Sequence, residues 1–324
     1  MPNKKTVAVL MGGLSPEREI SLLSGQAVLR ALRKSNNSVV EIVVNDYLVN
    51  EIDDHDIDVA FIALHGCFGE DGGIQEVLES KRIPYTGSGV SASRLAMDKV
   101  KSKNAFKIAN IQTPDYCAVP MKLGMSEIIE RVEKIILPVV VKPIGAGSSV
   151  GISLIKEYDE LREGVSNARL YDEQILIEKF IEGRELTVGI LNDLPLPIIE
   201  IKSESLFYDY DAKYRDKRTQ YITLKSADKL SESSLPHALY ARVQELAMGA
   251  HKSLGCRDFS RVDLILNKEG DIYVLEVNTI PGFTERSLLP KAASAQGVGF
   301  VELCNAIVKN ALRPTVEDLS AVCS

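Results

Sequence analysis

The sequence predicts a protein of mixed α/β and α+β class, with a parallel sheet first and antiparallel units after it. The first ~95 residues alternate apolar strand patterns with helical patterns, which is typical of a parallel sheet. A glycine-rich segment, residues 142–151, stands between two short apolar strands. Near the carboxyl end, two apolar runs flank the polar turn 268–271 and predict an antiparallel hairpin.

These patterns also predict how the chain divides into domains. At 324 residues the chain exceeds one ordinary hydrophobic core. We predict an N-terminal α/β domain over 1–95, α+β units over 96–185 and 186–313, and a flexible tail over 314–324. Within them we expect one helix over 95–108 and an irregular stretch over 203–225.

Composition restricts the class of function. The apolar fraction of 45% and charged fraction of 26% are typical of a soluble globular protein. A net charge of −7 argues against general binding to nucleic acid or to anionic membranes. The five cysteines are scattered without a CxxC pair, which favours a reduced compartment. No apolar run approaches the ~20 residues of a membrane span, and a strand pattern begins at Thr6, so we expect no leader and a cytoplasmic protein.

The predicted hairpin carries polar residues that a regular ladder brings together. If it closes at positions 267 and 272, Asp263 faces Glu276, and Arg261 faces Asn278 on the same face. Carboxylates ~5 Å apart repel by roughly 3 kcal/mol at an effective dielectric near 20, so a counter-ion is expected. Oxygen ligands suit Mg²⁺. The alternative is a solvated face on which Arg261 neutralises one acid.

The glycine-rich segment suits the binding of phosphates. Lys142 ends an apolar strand, and the glycines that follow allow close approach of the backbone. Consecutive N–H groups with the hydroxyls of Ser148 and Ser149 form an anion nest, in which Lys142 acts as a point charge. The segment does not match the P-loop pattern, because no GK[ST] follows. A flexible hairpin tip is the alternative.

Two titratable side chains, the carboxylate of Glu17 and the imidazole of His65, follow strands of the predicted parallel sheet. Ser15 as N-cap and Pro16 as first residue predict a helix over 16–34, with Glu17 at the ligand-binding edge of the sheet. There Glu17 suits an ammonium group, or it merely complements the helix dipole. His65 is expected at the same edge, where it orients Glu17 or the ligand, or serves as a structural hydrogen-bonding group.

Three further segments carry weaker signals. The strand end 178–185 suits adenine through backbone groups, with Phe180 beside it and Glu185 on the ribose, although an ordinary strand–turn–strand is favoured. The tyrosine-rich stretch 207–218 suits a lid that brings Lys213 and Tyr214 over the site, or a solvated loop. Gly282 suits an oxyanion, and Ser287 either caps a helix or binds a carboxylate.

Together these segments resemble the D-alanine–D-alanine ligase family of the ATP-grasp superfamily. The resemblance covers about residues 6–312 and rests on seven blocks in order: GGLSPEREISLLSG, HGCFGEDGGIQ, PYTGSGVSASRLAMDK, VVKPIGAGSSVGI, LIEKFIEGRELTV, FYDYDAKY, and GCRDFSRVDLIL with EVNTIPGFTERSL. It implies a Rossmann-like N-terminal domain followed by the two α+β subdomains of an ATP-grasp fold.

The resemblance also implies a reaction. ATP phosphorylates the carboxylate of a first D-alanine, and the amine of a second D-alanine attacks the acyl phosphate, giving the dipeptide used for peptidoglycan precursors. Two Mg²⁺ or Mn²⁺ ions, a homodimer, and no nucleic-acid or membrane partner are implied. The lid pattern favours an amine over a hydroxyl as second nucleophile.

By the same resemblance, residues of this chain take family roles. The implied substrate and catalytic residues are Glu17, His65, Ser148, Tyr214, Arg261, Gly282 and Ser287. The implied ATP-binding residues are Lys99, Lys142, Ser148, Ser149, Val150, Glu178, Lys179, Phe180, Ile181, Glu185, Phe207, Lys213 and Asn278. The implied metal ligands are Asp263, Glu276 and Asn278.

Two other functions stay open. One is another carboxylate–amine ligation on the same scaffold, such as dipeptides of other amino acids. The other is a non-catalytic nucleotide-binding protein, which would be expected to have damaged metal or lid residues.

Overall fold

The computed structural model describes residues 5–35, 37–145, 147, 150–202 and 219–313. Five of the implied site residues lie outside this part of the chain: Ser148, Ser149, Phe207, Lys213 and Tyr214. Their roles stay predictions.

A parallel sheet opens the chain, in the order β2-β1-β3. Its strands are β1 (Thr6–Gly12), β2 (Ser38–Val44) and β3 (Val59–Ile62). Residues 7 to 11 are fully buried, as expected for a central strand covered on both faces. Helix α1 (Arg18–Arg33) packs on one face and α2 (Gly73–Ser80) on the other.

Helix α1 begins later than predicted. Glu17 occupies the N-cap position, and Ser15 lies in the turn before it. The Ser15 hydroxyl accepts from the Glu17 N–H at 3.2 Å and donates to the backbone oxygen of His65 at 2.7 Å. The assignment of Ser15 as N-cap was therefore wrong, because its hydroxyl joins two loops at the edge of the sheet.

The single helix expected over 95–108 is two helices, α3 (Val90–Met97) and α4 (Lys99–Ile108). Asp98 separates them with an extended backbone. Its carboxylate caps α4 by accepting from the N–H groups of Val100 and Lys101, at 3.1 and 3.0 Å. An aspartate favours this N-cap position over a helix interior, which explains the break.

An antiparallel sheet follows, in the order β4-β7-β5-β6. Its strands are β4 (Tyr116–Pro120), β5 (Val139–Pro143), β6 (Ser153–Ile155) and β7 (Gln174–Lys179). Helices α5 (Met125–Ile135) and α6 (Leu161–Ala168) share one hydrophobic core with these strands.

A larger antiparallel sheet comes next, in the order β11-β10-β8-β14-β15, with β9 beside β8. Its strands are β8 (Gly183–Leu191), β9 (Leu194–Pro195), β10 (Ile199–Lys202), β11 (Gln220–Thr223), β14 (Phe259–Asn267) and β15 (Ile272–Asn278). A small parallel pair consists of β12 (Lys225–Ala227) and β13 (Ser234–Pro236). Helix α7 (His237–Ser253) packs against this sheet together with α3 and α4. Because β11 lies inside the stretch 203–225, the expectation that all of it is irregular was wrong.

The chain then returns to the first sheet. Helices α8 (Leu288–Ala295) and α9 (Phe300–Ala311) share a core with β1, β3 and α1. Phe283, before α8, meets Phe61 and Phe259 edge to face, with ring centroids 5.2 and 5.3 Å apart. The loop after β15 is thereby held beside the end of the parallel sheet where Glu17 and His65 lie.

The mixed class predicted from sequence, with a parallel sheet first, is confirmed. The bounds of the predicted domains stay a prediction. Among the described residues, no helix is both long and apolar enough to cross a membrane.

Candidate active site

The β14–β15 hairpin brings its polar side chains together in the predicted pairs. Asp263 faces Glu276, and Arg261 faces Asn278. The ladder nevertheless closes with Leu266 opposite Ile272, one residue from the expected register, and shifts at Asp263/Leu264. Leu275 is the extra residue of a β-bulge. Without the bulge, this closure would place Leu275 opposite Asp263 and turn Glu276 to the other face.

The Asp263 carboxylate is buried and fully hydrogen-bonded. Its Oδ1 accepts from Arg261 Nε at 2.9 Å and from the Thr187 hydroxyl at 2.7 Å. Its Oδ2 accepts from Arg261 Nη2 at 2.6 Å and from Asn278 Nδ2 at 3.1 Å. These four bonds match the four lone-pair positions of a carboxylate. Arg261 thus neutralises one acid, as the alternative supposed, but Arg261 is 5% and Asp263 8% exposed, so this pair is not solvated.

Glu276 differs from its neighbour Asp263 in exposure and in partner. Its side chain is 32% exposed, and its Oε2 lies 3.9 Å from the Nζ of Lys99. Within the described residues, no group of three or more His, Cys, Asp or Glu side chains surrounds a common metal position. The implied metal ligands are two carboxylates and one amide, a smaller set of oxygen donors that still suits a hard divalent cation.

An open cleft lies beside this face. It collects three implied site residues, Lys99, Glu276 and Asn278. Gly147 of the glycine-rich segment and Glu70 of the loop after β3 also line it. The cleft is therefore bordered by β15, by the loop after β3 and by the glycine-rich segment after β5, with both signs of charge.

A second ionic group is buried at the α4, β5 and β7 elements, and we call Lys103, Lys142 and Glu178 the lysine cluster. Lys103 Nζ lies 2.8 Å from Glu178 Oε2, and Lys142 Nζ donates to Glu178 Oε1. Lys103 also donates to the Thr113 hydroxyl at 2.6 Å. The side chains are 0%, 7% and 5% exposed, so two ammonium groups share one carboxylate out of water.

Burial and pairing shift the pKa values of this cluster. Burial lowers the pKa of Lys103 to about 8, although the Glu178 carboxylate opposes the shift. Burial alone would raise the pKa of Glu178, but Lys103 and Lys142 outweigh it and lower that pKa. Burial also lowers the pKa of Lys99, against the attraction of Glu276.

The implied adenosine-binding residues lie at the end of β7 and the start of β8. Glu178 points into the lysine cluster, whereas Lys179, Phe180, Ile181 and Glu185 are half-buried. The N–H groups of Lys179 and Phe180 donate to Asp115 O at 2.8 Å and to Pro138 O at 3.0 Å. Those two donors are already engaged within the protein.

Glu17 meets two glycine-containing loops. A Cβ added at Gly66 would lie 2.5 Å from Glu17 Oε2, and one at Gly147 would lie 3.2 Å from the same oxygen. Gly66 also has φ of +74°, so both space and backbone require glycine there. Glu17 is 8% exposed, which separates it from the exposed Glu19 that merely follows it on α1. Val150, beyond the glycines, donates its N–H to Gly147 O at 3.3 Å.

The ring of His65 is held by groups other than Glu17. Nε2 lies 2.9 Å from the Ser24 hydroxyl, and Nδ1 lies 3.2 Å from Ile280 O and 3.6 Å from Glu70 Oε1. It is the backbone oxygen of His65 that connects to the Glu17 turn, through Ser15.

Gly282 and Ser287 lie against each other. A Cβ at Gly282 would come within 2.9 Å of Ser287 Oγ. Ser287 occupies the N-cap position of α8, but its hydroxyl makes no cap bond. It accepts instead from the Thr284 N–H at 3.1 Å and pairs with the Thr284 hydroxyl at 2.9 Å.

Sequence reasoning missed Lys103, Thr187 and Ser24. Lys103 lies four residues after Lys99, on the same face of α4, and this spacing was the available signal. Thr187 faces Asp263 across β8 and β14, a pairing that sequence does not reveal. Ser24 stands inside the first quoted block, where nothing marks it as more than a helix residue.

Comparison with protein families agrees with this geometry. A model described as the D-ala D-ala ligase C-terminus matches residues 106–309, and one described as the D-ala D-ala ligase N-terminus matches residues 45–88. The D-alanine–D-alanine ligase of Citrifermentans bemidjiense is 46% identical over 312 residues, covering 95% of this chain and 96% of that protein. The enzyme of the same name from Geotalea uraniireducens is 45% identical, covering 94% of each chain.

Solved structures give the same answer. The D-alanine–D-alanine ligase of Bacillus anthracis complexed with ATP superposes with a TM-score of 0.82 at 34% identity, over 95% of this chain and 98% of that chain. The VanG D-Ala:D-Ser ligase of Enterococcus faecalis superposes with a TM-score of 0.81 at 27% identity, over 95% and 100% of the two chains. With its ATP-grasp fold and relatives of this identity and coverage, the chain belongs to the D-alanine–D-alanine ligase family.

Proposed function

We propose that this protein joins two D-alanines in an ATP-dependent reaction, giving D-alanyl-D-alanine for peptidoglycan precursors. The observation that carries the proposal is the hairpin face of Arg261, Asp263, Glu276 and Asn278, which borders a cleft with Lys99 in a chain of this family. An oxygen of the first D-alanine carboxylate attacks the γ-phosphorus, and ADP leaves. The amine of the second D-alanine then attacks the acyl carbon, loses a proton, and phosphate leaves.

The chain's own residues supply binding and charge. Glu17, buried beside two glycine loops, suits the ammonium of the first D-alanine. Lys99, which lines the cleft, and Lys142, which ends the strand before the glycine-rich segment, suit ATP phosphates as cationic groups. Arg261 and the Gly282 N–H suit the oxyanion of the tetrahedral intermediate, and Ser287, which touches Gly282, suits the second carboxylate.

The donor set also fits Mg²⁺ or Mn²⁺. Asp263, Glu276 and Asn278 would hold the ions, once the Asn278 amide turns its oxygen instead of its nitrogen toward Asp263. Bound divalent ions neutralise phosphate charge and so aid attack on the γ-phosphorus. Arg261 already uses both oxygens of Asp263, so it competes with any ion for that carboxylate.

A product assay tests the proposal. ADP release and dipeptide mass are measured with ATP, Mg²⁺ and each of D-alanine, D-serine, D-lactate and L-alanine, with EDTA as the metal control. We expect D-alanyl-D-alanine as main product and no turnover in EDTA. Faster ligation of L-alanine or an unrelated acid would favour another dipeptide ligase. ATP binding with no ADP formed in any mixture would favour a non-catalytic protein.

D-serine is included in the assay because of one structural relative. A D-Ala:D-Ser ligase is among the structures that superpose on this chain, at lower identity than the D-alanine–D-alanine ligase of Bacillus anthracis. We also propose a homodimer in the cytoplasm, as the family resemblance implies. Light scattering on the purified protein checks the first, and cell fractionation the second.

A further inference from the structure

A buried chain of hydrogen bonds joins α1 to the loop after β15. Ser24 of α1 meets His65 Nε2 at 2.9 Å, and the Phe283 N–H donates to the Ser24 hydroxyl at 3.3 Å. His65 Nδ1 reaches Ile280 O of the same loop at 3.2 Å. Ser24 and Phe283 are 0% and His65 5% exposed, so water does not replace these bonds.

The partners fix the direction of each bond. A carbonyl oxygen only accepts, so His65 Nδ1 carries the proton that Ile280 O receives. In the neutral ring Nε2 then accepts, and the Ser24 hydroxyl donates to it. The Ser24 oxygen keeps a lone pair for the Phe283 N–H. Every donor in this series of hydrogen bonds has an acceptor.

The bonds act on the backbone beside Gly282. Phe283 directly follows Gly282, and its ring is fixed between Phe61 and Phe259. Ile280 is fixed from the other side through His65. The segment 280–283 is therefore tied at two points to the part of the molecule that carries Glu17.

We propose that Ser24 is a positioning residue, which acts through His65 and Phe283 to set the Gly282 loop against the helix that begins after Glu17. This inference rests on the proposed function, in which Glu17 holds the first D-alanine and Gly282 faces the oxyanion. A small misplacement between these groups slows the chemical step more than it weakens nucleotide binding.

Ser21 provides a matched control on the same helix. It is also 0% exposed and also makes two hydrogen bonds, accepting from the Gly12 N–H at 2.9 Å and donating to Ala63 O at 2.8 Å. Both of its partners belong to the first sheet and the residue after it, so Ser21 supports the fold without joining the Gly282 loop.

The test compares Ser24→Ala with Ser21→Ala in the full-length protein. We expect similar losses of stability in urea, a ~10-fold fall in kcat for Ser24→Ala only, and an unchanged KM for ATP in both. Equal kcat in the two variants would overturn the inference. If the parent itself makes no D-alanyl-D-alanine, the proposed function fails first, and the result is distinguishable from this one.

A spectroscopic measurement needs no turnover. Two-bond ¹⁵N–¹H spectra resolve the ring nitrogens of the four histidines, and His65→Gln assigns the signal. We expect the Nδ1–H tautomer in the parent and a shift of the Nε2 resonance in Ser24→Ala but not in Ser21→Ala. A parent spectrum with the Nε2–H tautomer, or identical spectra in both variants, contradicts the bond directions on which the proposal stands.

Discussion

The hairpin face and the lysine cluster differ in how cationic side chains compensate the charge of their carboxylates. On the hairpin, Asp263 accepts two hydrogen bonds from the Arg261 guanidinium, and the facing Glu276 lies 3.9 Å from the ammonium group of Lys99. In the lysine cluster, two ammonium groups serve the single carboxylate of Glu178. Each hairpin acid thus has a cationic side chain of its own beside it, whereas Glu178 is shared by two.

The largest expected effect separates the two carboxylates of the hairpin. On the proposed function, Glu276→Gln should lower kcat on the order of 1,000-fold, because a ligand for the divalent ion is lost, while stability falls by less than in Asp263→Asn, since Glu276 is 32% exposed and lies 3.9 Å from Lys99. Asp263→Asn should lose comparable activity and also about 3 kcal/mol of stability, since the buried Arg261 would lose the carboxylate charge that accepts two of its hydrogen bonds. Urea unfolding and steady-state kinetics check both.

From sequence alone, the mutual repulsion of the acids suggests that neutralising either would leave the fold intact. The hydrogen bonds of Asp263 contradict that for one of the two. Equal stability of Glu276→Gln and Asp263→Asn would mean that the Arg261–Asp263 pair contributes little.

The pH dependence of the unfolding free energy distinguishes the lysine cluster from a third buried group, His251. Burial lowers the pKa of His251 from 6.5 to about 4. The unfolded chain therefore binds a proton first as pH falls, and stability present above pH 6.5 is lost toward pH 4, by up to about 3 kcal/mol. Glu178, whose pKa is lowered, contributes stability that is lost only below its ordinary range near 4.5.

The variant His251→Asn tests whether His251 causes the loss of stability between pH 6.5 and pH 4. Asparagine can keep the bond that His251 Nδ1 makes to the Ser260 hydroxyl at 2.7 Å. Unfolding free energies measured from pH 7 to pH 4 should fall less steeply for the variant than for the parent. The same slope in both would assign the acid sensitivity to other groups.

The smallest effect tests the sharing of Glu178. Lys103→Met leaves the carboxylate to Lys142 alone, so Lys142 is held more tightly away from phosphate, and we expect the Kd for an ATP analogue to rise ~10-fold. Lys101→Met is the matched control, because Lys101 is on the same helix but 69% exposed in a surface pair with Asp98. Isothermal titration with an ATP analogue measures both. Unaltered affinity in Lys103→Met would show that Lys142 does not depend on the second ammonium.

The hairpin shows how far sequence patterns reach. The facing of Asp263 and Glu276 was predicted correctly, but from a closing pair that the structure does not have. A one-residue difference at the turn is cancelled by the bulge at Leu275. The run Ile272–Leu275 is apolar throughout, so no alternation in it marks where the extra residue falls. The helix break at Asp98 could have been predicted from sequence, since aspartate is a common N-cap.

By itself the sequence determined the class of fold, the family and the types of residue at the site: a hairpin with two acids, lysines before and after a glycine-rich turn, and an acid at the edge of the first sheet. Only the tertiary structure decided which acid Arg261 neutralises, that Lys103 is buried beside Glu178, and that Ser24 reaches Phe283. The reason is physical. Strand register and the packing of one sheet on another join residues as far apart as 24 and 283, and local apolar patterns carry no information about which partner lies across such a contact.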